Sequence, residues 1–146
     1  MQYIADFHLH SKYSRATSKD LSLESLADGA KIKGLNLLSA PDFTHPVWLK
    51  EMKSKLSTEE NGIFNFNGIN FILTSEIATI DTFQNKTRHV HHNIHAPSFD
   101  VVDQINELLG KFGDLKSDGR PMLTASPAEV VEILMGVSKD ILIYPN

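Results

Sequence analysis

Gly34-Leu35-Asn36-Leu37-Leu38-Ser39-Ala40-Pro41-Asp42 is the stretch on which the fold turns. Residues 35–40 are short and apolar and do not alternate with polar residues at every second position. That pattern suits a strand buried on both faces, as in parallel sheets. The flanks agree. Upstream, Ser22 can cap a helix running to about Lys33, with Leu23, Leu26, Ala27 and Ala30 on one face and Gly34 as its stop. Downstream, Pro46 suits the first turn of a second helix that buries Trp48, Leu49, Met52 and Leu56. A helix, a buried strand and a second helix in succession predict an α/β class.

Working outward, residues 2–9 read as the first strand. In extended chain, side chains two apart point the same way, so Asp6, His8 and His10 share one face and Tyr3, Ala5, Phe7 and Leu9 the other. Residues 63–66, Asn67-Gly68 and residues 69–77 read as a β-hairpin, because Asn-Gly is a strong hairpin turn. A polar loop is expected over 81–87 and a strand over 88–96. Pro97-Ser98 leads into a helix to about Phe112, followed by a loop over 114–121. Ser126-Pro127-Ala128-Glu129 is a capping box with proline in the first helical position, opening a helix that ends at Gly136. Residues 141–144 form a last apolar strand. No repeat, low-complexity tract or linker interrupts the 146 residues, and one domain is the simplest account.

The chain has no cysteine, so disulfides and thiolate metal sites are excluded. Any metal must sit on His, Asp and Glu, which suits Zn²⁺, Mn²⁺ or Mg²⁺. A net charge of −4 argues against a surface built mainly to grip nucleic-acid phosphate, although bound divalent cations reverse the sign locally. No signal-peptide pattern and no membrane-length apolar run is visible, so the expectation is a cytoplasmic protein.

His8 and His10 are the leading ligand candidates, because two imidazoles on one rigid strand can bind a metal ion with little reorganisation. Asp42 and His45 follow the second strand, where α/β folds place their chemistry, yet each also suits a turn or a helix cap. Glu76 is expected to close a long apolar strand, at a rim or buried with a partner. Four of the seven histidines lie at 89, 91, 92 and 95. One strand cannot aim all four at one metal, so one or two ligands at most are expected there. Lys12, Arg15 and Arg88 are candidates to neutralise phosphate.

Together these residues resemble the PHP family, the polymerase and histidinol phosphatase domain. His8-x-His10 matches its first motif, Asp42 and more loosely His45 its second, and Glu76 followed by His91 its third. Within that family the chain is most similar to the endonuclease Q group. That similarity runs through residues 4–17, 42–46, 96–99, 102–106 and 117–121. The resemblance implies an incomplete, distorted (β/α)7 barrel with about five of its seven strands, a single PHP domain over 1–146 truncated at its C-terminus. Relatives continue with another metal-binding histidine and an Asp-x-His motif, and neither follows Tyr144 here.

The resemblance also implies two or three divalent metals held in part by His8, His10, Glu76 and His91. Asp42 and His45 would act as ligand or acid/base groups, and Lys12 or Arg15 would meet phosphate. The implied activity is metal-dependent phosphoester hydrolysis, as in DNA repair nucleases acting at deaminated bases or abasic sites. The alternatives are a small-molecule phosphoesterase, or a non-catalytic fragment that binds metal or self-associates through open sheet edges.

Overall fold

The computed structural model describes residues 2–15, 17–58 and 60–146. Ala16, inside the first matched segment, lies outside them. In order, the elements are β1 (Ala5–Asp6), α1 (Leu23–Lys33), β2 (Leu37–Ala40), α2 (Pro46–Lys55), β3 (Ser57–Thr58), β4 (Phe64–Phe66) and β5 (Ile69–Phe83). They continue with β6 (Lys86–Ala96), α3 (Phe99–Leu109), β7 (Met122–Leu123), α4 (Pro127–Val137) and β8 (Leu142–Pro145).

The strands form one mixed sheet organised around β5. Along one edge β5 pairs in parallel with β2 (Leu37↔Asn70 to Ala40↔Leu73) and then with β7 (Ala78↔Met122). Along the other it pairs antiparallel with β4 and then with β6, from Leu73↔Ala96 out to Phe83↔Lys86. β1 adds parallel to β2, and β8 adds antiparallel to β6, which leaves it parallel to β5. Among the described residues β1 pairs with β2 alone and β8 with β6 alone, so the curled sheet is half a barrel that does not close.

The helices start and stop for local reasons. Ser22 caps α1, and Gly34 ends it in the left-handed conformation at φ 71°. His45 is the N-cap of α2, accepting a hydrogen bond from the Trp48 N–H at 3.4 Å. Ser126 and Glu129 form the expected capping box on α4. The core gathers Trp48, Phe43, Phe64, Phe71, Ile77 and Leu109, all fully buried, between the sheet and its helices.

Several expectations need correction. The sheet has two strands beyond the six expected from sequence, β3 and β7, each two residues long and too short to carry a periodicity. The first strand stops at Asp6 rather than residue 9, so His8 and His10 lie in the segment that leaves its carboxyl end. Asp6 does not join them; its Oδ1 accepts from the His8 backbone N–H at 3.2 Å. Glu76 does not close its strand. Residues 77–83 continue it, and the loop expected over 81–87 shrinks to a two-residue turn in which Gln84 (φ 50°) and Asn85 (φ 61°) are both left-handed. α3 ends at Leu109, three residues early. Gly113 instead lets the chain pass against the Met122 carbonyl, where a Cβ would collide.

Candidate metal centre

The carboxyl ends of β1 and β2 open onto the middle of β5, and the candidate residues converge there. Glu76 is at its centre. Its side chain is 2% exposed, yet each oxygen is partnered. Oε2 lies 3.0 Å from His8 Nε2 and 3.1 Å from His10 Nε2. Oε1 lies 2.7 Å from His91 Nδ1 and 3.7 Å from an Arg120 guanidinium nitrogen, and accepts from Asn146 Nδ2 at 3.4 Å. Burial opposes ionisation of Glu76, but hydrogen bonds from His10 and His8 and the Arg120 charge outweigh it, so its carboxyl stays well below the usual range.

Asp42 sits behind His10. It is fully buried in the left-handed conformation, φ 56°, which Asp tolerates better than most residues. Its Oδ1 is 3.1 Å from His10 Nδ1. Its Oδ2 accepts from the Ser11 N–H at 2.6 Å, Ser11 Oγ at 2.7 Å and Ser14 Oγ at 2.9 Å. Bonds from Asp42 and then Glu76 push the His10 pKa up to about 9. Gly119 packs on this arrangement so closely that a Cβ there would meet Asp42 Oδ2 at 2.5 Å and overlap Ser14 Oγ.

The other candidates lie around this centre or away from it. His45 is buried under Tyr13, their rings stacked at 4.2 Å, and burial pushes its pKa down. It caps α2 and does not reach Glu76. Lys12 turns to α2, paired with Glu51 at 3.0 Å and lying 5.6 Å from both the Tyr13 and Trp48 ring centroids. Arg15 is largely exposed and bonds Asp118 at 3.2 Å.

The histidine-rich strand divides by register. His91, opposite Ala78, shares the Glu76 face and reaches it. His92, on the other face, is buried against Thr79 Oγ1 at 3.1 Å. His95 stacks on Tyr144, and His89 is exposed. Ser11, Ser14, Gly119, Arg120 and Asn146 were not singled out as site residues from sequence. The signal for Gly119 and Arg120 lies in the matched segment 117–121, and that for Ser11 and Ser14 in the matched segment 4–17. The β5–β7 register sets Met122 opposite Ala78, so two residues back Arg120 comes level with Glu76.

His8, His10 and Glu76 offer ligand atoms that lie within 4.8 Å of one another and can hold a metal ion. The donor set fits. Imidazole nitrogens and a carboxylate bind zinc at about 2.0–2.2 Å, which puts tetrahedral neighbours roughly 3.3 Å apart. The 3.0 and 3.1 Å separations here need only slight opening.

The crystal structure of the lesion-specific endonuclease Q of Pyrococcus furiosus superposes with a TM-score of 0.86 at 34% identity, covering 98% of this chain and 34% of that one. This chain is similar to endonuclease Q. An endonuclease Q in complex with a 27-mer duplex substrate, with an abasic lesion at its active site, matches at TM-score 0.83 and 34% identity, over 95% of this chain and 33% of that one. An uncharacterised protein of Methanocaldococcus jannaschii is 37% identical over 133 residues, 90% of this chain and 15% of that protein. The chain thus spans about a third of the endonuclease Q structures and a smaller share of the archaeal relative. No family model matches it. Among the described residues no helix is long and apolar enough to cross a membrane.

Proposed function

We propose that this chain carries a PHP-type, metal-dependent phosphoesterase centre. In this reading it belongs to a cytoplasmic, endonuclease Q-like repair enzyme that nicks DNA at deaminated bases or abasic sites. Residues 1–146 would form one unit of a distorted (β/α)7 barrel. The observation that carries the reading is the convergence of His8, His10 and His91 on buried Glu76, in a chain that shares its fold with endonuclease Q.

His8, His10, Glu76 and His91 would hold one or more of Zn²⁺, Mn²⁺ or Mg²⁺. A divalent cation there supplies Lewis acidity, lowering the pKa of water and neutralising charge that builds on phosphoryl oxygens. The protein's own part is orientation and charge. Arg120, beside Glu76, and Arg15, largely exposed, would meet phosphate; Asp118 pairs with Arg15 and accepts from the Arg120 backbone N–H. Lys12 would serve phosphate only after leaving Glu51.

The deciding assay is nicking of duplex DNA containing uracil, hypoxanthine or an abasic site, with Mn²⁺, Mg²⁺ or Zn²⁺ supplied. Strand cutting that chelator abolishes is expected. No cutting with any of the three metals overturns the nuclease reading, and turnover of a phosphomonoester without DNA cutting assigns a small-molecule phosphoesterase instead.

Asp42 would act through His10. A proton on Nδ1, donated to Asp42 Oδ1, leaves the Nε2 lone pair free for metal. Asp42→Asn reverses this. The asparagine oxygen must keep its bond from the Ser11 N–H, so its NH₂ faces His10 Nδ1 and drives the ring proton to Nε2. Metal affinity is expected to fall about 10–100-fold, read by metal titration, with the far-UV circular dichroism unchanged. Unaltered affinity removes Asp42 from this role.

A further inference from the structure

The β5–β6 hairpin runs past the metal centre as a two-stranded ribbon. β7 pairs with β5 at Ala78 and Thr79, β8 pairs with β6 only at residues 92–95, and the Asn146 N–H bonds the His91 carbonyl. Beyond these points, among the described residues, no strand borders 80–83 or 86–90. At about 3.4 Å per residue the unbordered stretch from Ile80 to Phe83 extends roughly 10 Å, and its tip lies roughly 24 Å along the strand from Glu76. Such an isolated ribbon is only marginally stable in water by itself.

Its chemistry differs from the rest of the chain. Over residues 80–91, Lys86 and Arg88 oppose the single carboxylate of Asp81, whereas the whole chain carries −4. Residues 86–89 are all exposed. Phe83 is 50% exposed, and the Arg88 guanidinium lies 4.7 Å from its ring centroid. On the face shared with Glu76 and His91 the arm presents Ile80, Thr82, Thr87 and His89, and on the opposite face Asp81, Phe83, Lys86 and Arg88. An exposed, locally cationic ribbon carrying an aromatic ring has the dimensions of the two-stranded elements that enter the DNA major groove.

We propose that residues 80–90 form a DNA-gripping arm that holds duplex flanking the metal centre, through the ribbon face that carries Phe83, Lys86 and Arg88. Lys86 and Arg88 meet backbone phosphates, and Phe83 packs on sugar or base. This rests on the nuclease reading above and names the surface that would hold its substrate. It also answers the charge problem, because the arm concentrates positive charge where an acidic protein needs it.

The test measures binding of lesion-containing duplex by fluorescence anisotropy from 50 to 200 mM salt, for the wild type and for Lys86→Ala/Arg88→Ala. Each phosphate contact adds about 0.9 to the slope of log affinity against log salt. The wild type is therefore expected to lose about tenfold more affinity than the variant across that range. Equal slopes overturn the arm, and so does failure of the wild type to bind duplex at all. Hydrolysis of a small generic phosphodiester, expected to be unchanged in the variant, shows that the centre stays intact. If the slopes differ while neither protein cuts DNA, the nuclease reading fails and the arm stands. If lesion DNA is cut and the slopes are equal, the arm alone fails.

Discussion

Alanine at position 119 is expected to destabilise the protein by about 3 kcal/mol, at the upper end of the usual cost of overpacking. The added Cβ would sit 2.5 Å from Asp42 Oδ2 and 2.8 Å from its Cγ, and would overlap Ser14 Oγ. None of these atoms is free to retreat. Asp42 is 0% exposed and Ser14 3%, and Asp42 Oδ2 already takes three hydrogen bonds. Residue 119 is itself fixed, because its N–H bonds the Tyr13 carbonyl at 3.1 Å. The strain would fall on the carboxylate that faces His10 Nδ1, so metal affinity is expected to drop along with stability.

Urea titration checks this result. With a slope of about 1–3 kcal/mol per molar urea, 3 kcal/mol moves the midpoint down by roughly 1–3 M. Gly136→Ala is the matched control. It lies in α4 with nothing within 4 Å of an added Cβ, and there alanine is expected to be neutral or stabilising by up to about 1 kcal/mol. If both variants unfold at the wild-type midpoint, the close approach at residue 119 has no energetic consequence.

Local chemistry made part of this architecture legible in the sequence. Ser22, Pro46 and Ser126 mark helix starts through backbone geometry that needs no tertiary partner. Asn67-Gly68 forms its turn because both residues accept positive φ, 51° and 78°. Gln84-Asn85 makes a comparable turn without glycine, so residues 81–87 looked like a loop and the length of the arm was hidden. The burial of Leu37–Ala40 on both faces followed from the lack of polar–apolar alternation, and all four residues are buried, Ser39 among them.

The candidate site was legible as residue types and not as contacts. His8 and His10 do meet at Glu76, but through a segment that leaves β1 rather than through strand parity. Parity did sort the later histidines, because β6 is a regular strand, and it placed His91 and His92 on opposite faces. Contacts between residues 10 and 76, or 14 and 119, depend on strand order, and no local pattern encodes that. His45 lies between the two cases. Its place before Pro46 suited both a helix cap and a site, and the structure shows it capping α2.

Glu76→Gln is expected to weaken metal binding by about a hundredfold or more. Removing a group that merely orients a metal ligand costs about 10–100-fold, and Glu76 would be a ligand itself. The amide keeps the shape of the side chain but loses the negative charge and one acceptor, in a site where His8, His10, His91 and Arg120 all approach the carboxylate. Breaking a buried ion pair often costs about 3–5 kcal/mol because a charge is left without a partner. Here the cost is smaller, because His10 can release its proton. The metal-free wild type shows how the pair contributes. Glu76 has a folded pKa below the ordinary 4.5, so its share of stability is present above 4.5 and is lost as pH falls through the folded value. His10 is raised from 6.5 to about 9, so its share is complete below 6.5 and is lost as pH rises through about 9. Both shares are full between about 4.5 and 6.5. The variant is expected to flatten that maximum and to lower the His10 pKa, though not to 6.5, because Asp42 still accepts from Nδ1. NMR titration of the imidazole in metal-free protein, alongside zinc or manganese titration, reads both effects. A His10 pKa still near 9 together with undiminished metal affinity would remove Glu76 from the centre of the site.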